Sequence, residues 1–568
     1  MVQYLAITIG PVYKTIKQAR STREIWAASY IFSIIMREII KESATIGDLL
    51  SPTKLPLTAH RFGAGIYPDR AFWLLTVPGN YDALNNAINN ALKNINLITG
   101  INKDDLRLYL NIYGVTIDST NKMKTVLNTG IAAAQESDIL RLNQLLDNLE
   151  LQEKISNPKP DLLAGLVGGI QNLYKDGHQN IGIGKSVFIN YSCNGLLNRL
   201  PSIIELTTGD LKIKPTVSNS GYTQLVTDPM SQKVCDMIRS GKKRNEYNSE
   251  EDGMQETIFR LLKDEYKDHF RFRHKYIAFI KADGDYMGKA LGKIGNTKKA
   301  IQAFSDLLST FAGDAAEKIA LFGGLPIYAG GDDLLFTLPV VNNNEETIGV
   351  AGRNVFELIQ KLDDIFPINQ IVQLIEDNKP KGLSNPVESP DREKIVPSLS
   401  YGISFCYYKY PMEEILKTSS ESLQLAKKFK GKNAVAFQVR KHSGQTFSAC
   451  FAKQEAYKLF YEMLSKFGEF KDDAFLTSVM FKLIQLEPLL ADALKLNRMA
   501  NFFRNQFNEK DHNTKYDNYL NAVRSFGEKL YHENNIIMEN ESRAASSTIA
   551  TLFSCLRFVQ FINQEDHE

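Results

Sequence analysis

Two short acidic segments have the residue types and the spacing best suited to chemistry. Residues Asp283–Asp285 read DGD and follow the apolar run YIAFIK, while Gly330–Asp333 read GGDD and lie between the apolar runs LPIYA and LLFTLP. Carboxylates crowded at a strand end and in a tight turn cannot all be buried without a compensating charge. A hairpin tip with Asp332 and Asp333, placed beside the strand end with Asp283, would therefore form a site for a hard divalent cation.

Nucleotide phosphates are natural partners of such a cation site. Mg²⁺ or Mn²⁺ at Asp283, Asp332, Asp333 and the Gly284 backbone would retain waters and bridge phosphate groups. Each segment alone has a plainer explanation, since paired aspartates in a glycine turn often form a solvated hairpin and DGD at a strand end is commonly a helix N-cap region. The two segments together, in this order, predict a metal and triphosphate site.

Five further residues are expected at the nucleotide. Gly330 and Gly331 would let the backbone approach a phosphate or ribose closely. The segment AKKFKGKN is a predicted helix end with a glycine turn, and its Lys427 and Lys432 would hold the β- and γ-phosphates. Taken alone, these lysines would equally suit the negative end of the helix dipole. Asp285 is expected to ligate the metal or to orient the ribose.

A basic ridge near the N-terminus is a second candidate binding surface. Lys14, Lys17 and Arg20 recur every three residues along a predicted helix. A ridge of this kind is either a solvated helix face or a contact for RNA or a polyphosphate. Both interpretations stay open at this point.

The elements that would position these residues alternate between strands and helices. Tyr4–Ile9 is a predicted buried strand, a helical pattern follows to about residue 43, and AFWLLTVPG and LRLYLNIYGVTI look like strands on either side of a helix. This alternation predicts an α/β or α+β domain ending near residue 215. The polar segment 216–272 is interpreted as a largely helical connector.

The second half of the chain repeats the alternation and then becomes helical. Strand and helix signals from 273 to 445 surround both acidic segments, which predicts a second α+β domain there. Amphipathic helical patterns follow, and they predict a helical bundle over 446–568.

Composition excludes several classes of protein. The chain has 568 residues, 43% hydrophobic and 23% charged, with a net charge of +2, so neither a disordered chain nor a polycation that coats nucleic acid is expected. Its five cysteines form no CxxC pair, which argues against a zinc ribbon. The apolar run IWAASYIFSIIM is too short to cross a bilayer and no signal peptide is evident, so we expect a cytoplasmic protein without membrane contact.

The combined motifs resemble a known family. GGDD, preceded by DGDYMG and followed by AKKFKGKN, is similar to the GGDEF-like palm of the large subunit of type III CRISPR RNA-targeting complexes. The run IGPVYKTIKQARSTREIWAASYIFSIIM and the segment PDRAFW resemble the first, non-catalytic palm of that subunit in its Cmr (III-B) form. The resemblance implies an α+β fold with two ferredoxin-like palm domains at 1–215 and 273–445, a helical connector at 216–272 and a helical bundle at 446–568.

Departures from the family pattern narrow the expected activity. The chain starts on the first palm strand, where many members carry an HD nuclease domain, and none of its eight histidines is followed by Asp. We therefore do not expect an autonomous nuclease. The cysteine-rich zinc element of the family has no counterpart here, so no zinc is expected, and the first palm's expected hairpin, HRFGAGIYPDR, lacks paired acidic residues.

The resemblance implies a catalytic role for Asp283, Asp332 and Asp333. When target RNA activates them, members of the family make cyclic oligoadenylate messengers from ATP in antiviral defence. The expected cofactor is Mg²⁺ or Mn²⁺, and the expected partners are the other Cmr subunits, the crRNA and the target RNA.

Three alternatives accompany this expectation. Some members of the family that lack the HD domain join ATP to S-adenosylmethionine instead of to a second ATP. A degenerate palm pair would serve only as an RNA-binding scaffold, although two intact acidic segments argue against it. A free-standing diguanylate cyclase would need a sensor domain and a homodimeric palm, whereas two palm-like halves occupy this one chain.

Overall fold

Within the part of the chain that the structure describes, the fold is built on three sheets and a C-terminal set of helices. The computed structural model describes residues 3–19, 21–53, 64–77, 81–118, 137–151, 189–192, 196–199, 202–208, 214–218, 221–226, 256, 259–260, 262–264, 266–267, 269–342, 344–378, 396–467, 472–507 and 514–565.

The first palm sheet has four antiparallel strands in the order β2-β3-β1-β4. This is the strand order of a ferredoxin-like fold, with the first and third strands in the centre. The strands are β1 (Gln3–Gly10), β2 (Gly47–Ser51), β3 (Arg70–Leu75) and β4 (Asn111–Asp118). The helices are α1 (Val12–Lys17), α2 (Thr22–Glu42), α3 (Tyr81–Thr99), α4 (Lys103–Tyr109) and α5 (Asp138–Glu150).

Helix α2 forms the core of this first half. It begins where the Ser21 hydroxyl accepts a hydrogen bond from the Glu24 backbone N–H, which satisfies a free donor of the first turn. Its apolar side chains, with Trp26 fully buried, pack together with Trp73 of β3 in one core cluster. The same cluster includes Ile327 of the second half, so the core is continuous between the two halves.

Helix α4 corrects one strand prediction. The run LRLYL was read as part of a strand, but Lys103–Tyr109 is helical and the strand begins only at Asn111. The Asn102 side chain caps the helix by accepting from the Asp104 backbone N–H. Three apolar side chains at helical spacing, Leu106, Tyr109 and Leu110, are buried on one side, so the helical period prevails over β-propensity.

A small sheet occupies the middle of the chain. Its strands lie in the order β6-β5-β8-β7, and they are β5 (Ile189–Ser192), β6 (Leu196–Arg199), β7 (Lys214–Ser218) and β8 (Gly221–Val226), with the short helix α6 (Ile203–Thr207) between the pairs. The segment 216–272 was predicted to be largely helical, and for β8 this was wrong. Pairing of β8 with β5 and β7 outweighs the polar composition that suggested a connector.

The second palm sheet has six strands in the order β10-β11-β9-β12-β13-β14. Its first four repeat the ferredoxin-like order of the first palm sheet, and β13 then pairs parallel with β12. The strands are β9 (Tyr276–Asp285), β10 (Leu325–Gly330), β11 (Asp333–Pro339), β12 (Ser398–Tyr407), β13 (Ala434–Arg440) and β14 (Thr446–Ala452). The sheet thus continues beyond residue 445, the predicted end of the second palm domain.

Helices cover the second palm sheet and connect its strands. A short 3₁₀ turn, Phe272–Lys275, precedes β9. The helices are α7 (Met287–Ile294), α8 (Lys298–Leu321), α9 (Glu345–Ala351), α10 (Val355–Asp363), α11 (Ile368–Asp377) and α12 (Met412–Lys428). Fully buried Phe336, Phe356 and Tyr401 anchor this core.

The C-terminal part of the chain is helical, as predicted. Its helices are α13 (Glu455–Phe467), α14 (Asp473–Gln485), α15 (Glu487–Lys495), α16 (Met499–Gln506), α17 (Thr514–Met538) and α18 (Glu541–Asn563). In the described residues, α18 is long and apolar enough to cross a membrane, and α14 with α15 would pass the same test as a pair bent by 76°. Helix α18, however, is a core helix whose Leu552, Cys555 and Val559 are fully buried.

The two palm sheets are joined near their hairpins. Gly65, in the segment between β2 and β3, donates its N–H to the Ile327 carbonyl at 3.2 Å and accepts from the Ala329 N–H at 2.9 Å. The Ser29 hydroxyl of α2 adds a third hydrogen bond to the Ile327 carbonyl at 3.0 Å. Strand β10, which leads into the GGDD turn, is therefore held by the first palm.

Candidate active site

The strand end of β9 carries the DGD segment. In the antiparallel register with β12, Asp283 faces Ser400 and Asp285 faces Ser398. Ala282 is fully buried, whereas 42% of the Asp283 side chain is exposed, so the strand leaves the core at this point. A carboxylate here is fixed by a buried strand and still open to a ligand.

The GGDD segment forms the turn between β10 and β11. Gly331 has a φ of 87°, a conformation that favours glycine, and it lets the chain reverse between the strands. Leu334 pairs with Ala282, so the antiparallel register brings Asp333 beside Asp283. The two acidic segments thus lie on neighbouring strands at one edge of the sheet.

Glycines allow the two segments to touch. Gly284 packs so closely against Asp332 that a Cβ on Gly284 would overlap the Asp332 carboxylate. Gly330 has a similar role for Tyr328, because a side chain at 330 would overlap the Tyr328 hydroxyl. Gly330 therefore makes room for an aromatic side chain within the protein.

Raised pKa values indicate that Asp332 and Asp333 lie in one carboxylate cluster with Asp283. Burial first, and then the neighbouring charge of Asp283, raise the pKa of Asp332 to about 6. The same two causes, with Asp332 as a third, raise the pKa of Asp333 to about 7, while Lys281 acts in the opposite direction. A cation bound among these carboxylates would relieve the repulsion.

Asp285 lies behind the cluster and does not reach its surface. It is fully buried, and its Oδ2 accepts hydrogen bonds from the hydroxyls of Ser398 and Ser400, both at 2.8 Å, and from the Asn433 N–H at 3.0 Å. Its Oδ1 lies 3.0 Å from the Lys427 ammonium. These contacts fix the strand end from behind, so the expected contact of Asp285 with metal or ribose is replaced by a positioning role.

Lys427 reaches into the cluster from the last turn of α12. Its ammonium lies 2.7 Å from Asp283 Oδ2 and donates a hydrogen bond to the Gly284 carbonyl at 2.6 Å. With the contact to Asp285, it thereby joins both aspartates of the DGD segment. The structure brings this sequence-predicted lysine to the carboxylates themselves.

Lys432 lies in a strained turn beside the cluster. Gly431, Lys432 and Asn433 have consecutive positive φ angles of 89°, 56° and 46°. The Lys432 ammonium sits 4.6 Å from the ring centroid of Tyr286, which has a φ of 61° itself. Left-handed conformations of this kind in non-glycine residues cost about 1–3 kcal/mol each and collect at functional sites.

The basic ridge lies between two cavities. Lys14 and Lys17 line a polar cleft of about 640 Å³ together with Tyr408 and Tyr410, and Lys14 also lines a second cavity, which lies beside Asp333. Arg20 lies outside the described residues. Lys14 is thus close to the hairpin of the second palm, and the contact of the ridge with RNA or nucleotide stays a prediction.

A second cavity, of about 420 Å³, lies between the two palms next to Asp333. Its lining mixes charges and aromatic rings and includes Tyr13, Lys14, Asp69, Glu150, Lys281 and Tyr328. Burial raises the pKa of Asp69, and the nearby Arg70 opposes the rise. Glu150 Oε1 is fixed by hydrogen bonds from Thr8 at 2.6 Å and Arg70 at 2.9 Å. Acidic groups of the first palm thus face the hairpin of the second.

Comparisons with known protein families match two segments of the chain. Residues 276–436 match the model of the Cas10/Cmr2 second palm domain, and residues 4–55 match that of the N-terminal region of the CRISPR-associated protein Cmr2. The second palm is a Cas10/Cmr2 palm domain. No curated protein matches it by sequence.

Solved structures similar to this chain include type III-B Cmr-beta and Csm1–Csm4 assemblies. A type III-B Cmr-beta structure bound to cognate target RNA has a chain with a TM-score of 0.50 and 11% identity, covering 90% of this chain and 79% of that one. Cmr-beta in the apo state gives 0.49 at 11% identity, covering 85% and 75%. A Csm1–Csm4 cassette in complex with cA4 gives 0.45 at 11% identity, covering 99% and 70%. At this identity the first match shows a shared fold.

The oxygen donors of this palm site suit a hard cation. Asp283, Asp332, Asp333 and the Gly284 carbonyl provide only oxygen ligands, which favours Mg²⁺ or Mn²⁺. Within the described residues, however, no three acidic, histidine or cysteine side chains are already arranged to hold a metal. Instead, Lys427 binds two of the expected ligands. These oxygen atoms fit Mg²⁺ or Mn²⁺ as ligands, and in this arrangement the Lys427 ammonium binds two of them instead.

Sequence reasoning missed several residues of the site. Asp69 follows Pro68 in the PDRAFW segment that marked the first palm, so its position was visible but its proximity to Asp333 was not. Glu150 ends a helix and carries no motif. Ser400 lies in β12 and Asn433 in the turn before β13, and only the fold brings both to Asp285.

Proposed function

We propose that this chain is a metal-dependent nucleotidyltransferase that uses ATP as the donor. A ribose hydroxyl of the acceptor attacks the α-phosphorus, the bond to the β-phosphate breaks, and pyrophosphate leaves. The observation that carries the proposal is the contact between Gly284 and Asp332, which joins the two acidic segments, with Lys427 bound at the same point.

The chain's own residues divide the work of this reaction. Asp283, Asp332, Asp333 and the Gly284 carbonyl would hold Mg²⁺ or Mn²⁺, and a bound ion supplies charge neutralisation and orientation at the phosphates. Asp285 keeps the strand end and Lys427 in place. The lysines offer positive charge to the β- and γ-phosphates.

The assembly in which the chain acts is part of the proposal. We infer a target-RNA-activated subunit of a type III-B complex in the cytoplasm, together with the other Cmr subunits and the crRNA, that makes a cyclic oligoadenylate messenger for antiviral defence. Support comes from matches to both Cas10/Cmr2 family models, in the family's order along the chain. An inert scaffold would have no need for intact carboxylates with a bound lysine.

Labelled ATP tests this function directly. The assembled complex is incubated with Mg²⁺ or Mn²⁺ and ATP labelled at the α-phosphate, with and without target RNA, and the products are separated by chromatography. We expect an ATP-derived product that depends on target RNA and on the metal. A complex that binds target RNA and forms no product under any of these conditions would contradict the proposal.

A specific observation favours a second acceptor, S-adenosylmethionine. The cavity beside Asp333 carries the carboxylates of Asp69 and Glu150 as well as Lys14 and Lys281. A triphosphate would meet two carboxylates there, whereas a molecule with an ammonium, a sulfonium and a carboxylate finds opposite charges and aromatic rings. The mixed lining therefore suits the amino-acid acceptor at least as well as a second ATP.

A comparison of product formation with and without S-adenosylmethionine identifies the acceptor. The complex receives labelled ATP with and without S-adenosylmethionine, and the Asp69→Asn variant is compared with the unchanged protein. If S-adenosylmethionine is the acceptor, product appears only with it, and Asp69→Asn raises its KM about tenfold while the KM for ATP stays the same. Product formed equally well from ATP alone would reject this alternative and leave the nucleotidyltransferase proposal intact.

A further inference from the structure

Lys427 is bound as a cation would be. Its ammonium has three oxygen neighbours within 3.0 Å, namely Asp283 Oδ2 at 2.7 Å, the Gly284 carbonyl at 2.6 Å and Asp285 Oδ1 at 3.0 Å. Only 19% of its side chain is exposed. A lysine whose only role was to bind a phosphate would instead extend towards solvent, where its ammonium is well hydrated.

The surrounding fold holds Lys427 in this place. Helix α12 packs along β12, and its last turn presents Lys427 to the end of β9. The turn that follows returns at Asn433, whose N–H is bonded to Asp285. Asp285 is fully buried and its Oδ2 accepts three hydrogen bonds from protein groups, so its Oδ1 acts as a permanent anchor for the ammonium.

The other two neighbours of the ammonium are not permanent partners. Asp283 and the Gly284 carbonyl are ligands that the proposed function assigns to the divalent ion. A hard divalent ion binds its oxygen ligands at about 2.0–2.1 Å. An ammonium at hydrogen-bond distance from the same oxygens would repel it strongly, since both are positive and only a few ångströms apart.

We propose that Lys427 is the resident counter-cation of the carboxylate cluster and that loading of metal with nucleotide displaces it. Its ammonium leaves Asp283 and the Gly284 carbonyl and turns to the triphosphate, while Asp285 remains its anchor on the protein. Without nucleotide the ammonium stays on Asp283 and the Gly284 carbonyl, so it competes with the ion. Metal and ATP therefore bind cooperatively, and metal alone binds weakly.

This inference rests on the proposed function only in the identity of the ligands, and its test needs no turnover. Mn²⁺ binding to the full-length chain is measured by the loss of the free-ion EPR signal, first without nucleotide and then with a non-hydrolysable ATP analogue. The variants are Lys427→Met and Lys427→Gln, the second of which keeps a hydrogen-bond donor if the first folds poorly. Lys428→Met is the matched control, because it removes the same charge from the neighbouring, exposed position.

The expected results have opposite signs for metal and nucleotide. Both Lys427 variants should bind Mn²⁺ at least tenfold more tightly than the unchanged chain without nucleotide, and should bind the ATP analogue less tightly. The analogue should raise Mn²⁺ affinity in the unchanged chain and in Lys428→Met by more than in either Lys427 variant.

Two other results are decisive in different ways. Mn²⁺ affinity that is unchanged or lower in both Lys427 variants would overturn the counter-cation role and leave the proposed function standing. Mn²⁺ binding that is the same in the unchanged chain and in Asp332→Ala with Asp333→Ala would instead remove the metal site on which the proposed function depends.

Discussion

The two palm sheets share a strand order and differ at the points where chemistry would occur. The first strand of the first palm ends in Gly10 and Pro11, whereas that of the second ends in the DGD segment. The hairpin region of the first palm contributes Asp69 to the cavity, and that of the second contributes Asp332 and Asp333 to the cluster. The same fold thus provides two equivalent places, and among the described residues the carboxylate cluster lies on the second palm.

The segment after the fourth strand completes the difference. In the second palm the fourth strand is followed by α12, β13 and β14, which bring Lys427 and the Asn433 N–H to the DGD segment. In the first palm, within the described residues, the fourth strand is followed by α5, which packs on β4 and β1 and ends in Glu150 instead of a lysine. Strand order therefore decides where a site can form, and the segment after the fourth strand decides how it is charged.

The largest effect is expected when the acidic residues of each hairpin region are replaced by alanine. Asp332→Ala with Asp333→Ala should reduce kcat for the ATP-derived product by at least about a hundredfold, because the ligands that stabilise charge on the leaving phosphates are removed. Asp69→Ala in the first palm should instead raise the KM of the acceptor with a smaller change in kcat. Initial rates of the assembled complex measure both.

Complex assembly and binding of target RNA serve as controls for this pair. Both should be unchanged, since none of the three carboxylates supports the core. If the variants of the two palms lost kcat equally, the assignment of catalysis to the second palm and of acceptor binding to the first would be wrong.

A glycine in each palm gives the next effect. Gly284→Ala would place a Cβ on the Asp332 carboxylate and should separate the two acidic segments, with a cost of about 1–3 kcal/mol and a large loss of product. Gly114→Ala in β4 meets its nearest atom, in Leu84, only at 3.5 Å and should change stability by less than about 1 kcal/mol. Thermal unfolding and product formation are measured on both variants.

Either of two results would contradict the prediction for the glycine variants. Full activity of Gly284→Ala would mean that the contact between the acidic segments is not required for the reaction. Destabilisation of Gly114→Ala equal to that of Gly284→Ala would show a general sensitivity of strands to the added methyl group.

A smaller effect is expected behind the cluster. Asp285→Asn keeps the size of the side chain but removes the charge that anchors Lys427, so product formation should fall about tenfold and stability by about 1–3 kcal/mol. Ser398→Ala removes one neutral hydrogen bond to the same carboxylate and should cost only about 1 kcal/mol. If Asp285→Asn were as inactive as the Asp332 and Asp333 variants, Asp285 would have to be counted among the ligands.

The smallest effect is a pH dependence of stability. In the folded chain Asp332 and Asp333 have raised pKa values of about 6 and about 7, against 3.8 as their ordinary value. Between those limits the folded state binds more protons than the unfolded state, so the contribution of these groups to stability is lost as pH rises from about 4 to about 7. The melting temperature in a chelator should therefore fall along this range, and Asp332→Asn with Asp333→Asn should reduce the slope.

Divalent ions provide the control for the pH experiment. Because bound metal compensates the ionised carboxylates, Mg²⁺ should raise the melting temperature more at pH 8 than at pH 5.5. An identical slope in the unchanged chain and in the Asn variant would assign the pH dependence to other groups.

The sequence allowed the main site to be predicted because its parts are local. DGD and GGDD each follow a buried strand, and neighbouring strands bring such ends together without further information. The role of Asp285 could not be predicted, because its partners Ser398 and Asn433 lie more than a hundred residues away and meet it only through strand register. The position of Asp69 beside Asp333 depends on how two domains pack, which no local pattern encodes.

Two errors in the predicted secondary structure have the same physical origin. The helix Lys103–Tyr109 and the strand Gly221–Val226 were assigned the opposite structure, because short segments with mixed patterns take their conformation from their neighbours. Buried apolar contacts decide the first, and pairing with two strands decides the second. Longer elements such as β9 and α2 carry enough periodic residues to be recognised alone.

The mass of the product made by the intact complex tests the central claim most directly. The complex with bound target RNA is incubated with ATP, Mg²⁺ and S-adenosylmethionine, and both the product and pyrophosphate are quantified by mass spectrometry. The account predicts an adenylate joined to an acceptor, with one pyrophosphate released for each bond formed. ATP left unchanged by a complex that binds target RNA normally would contradict it.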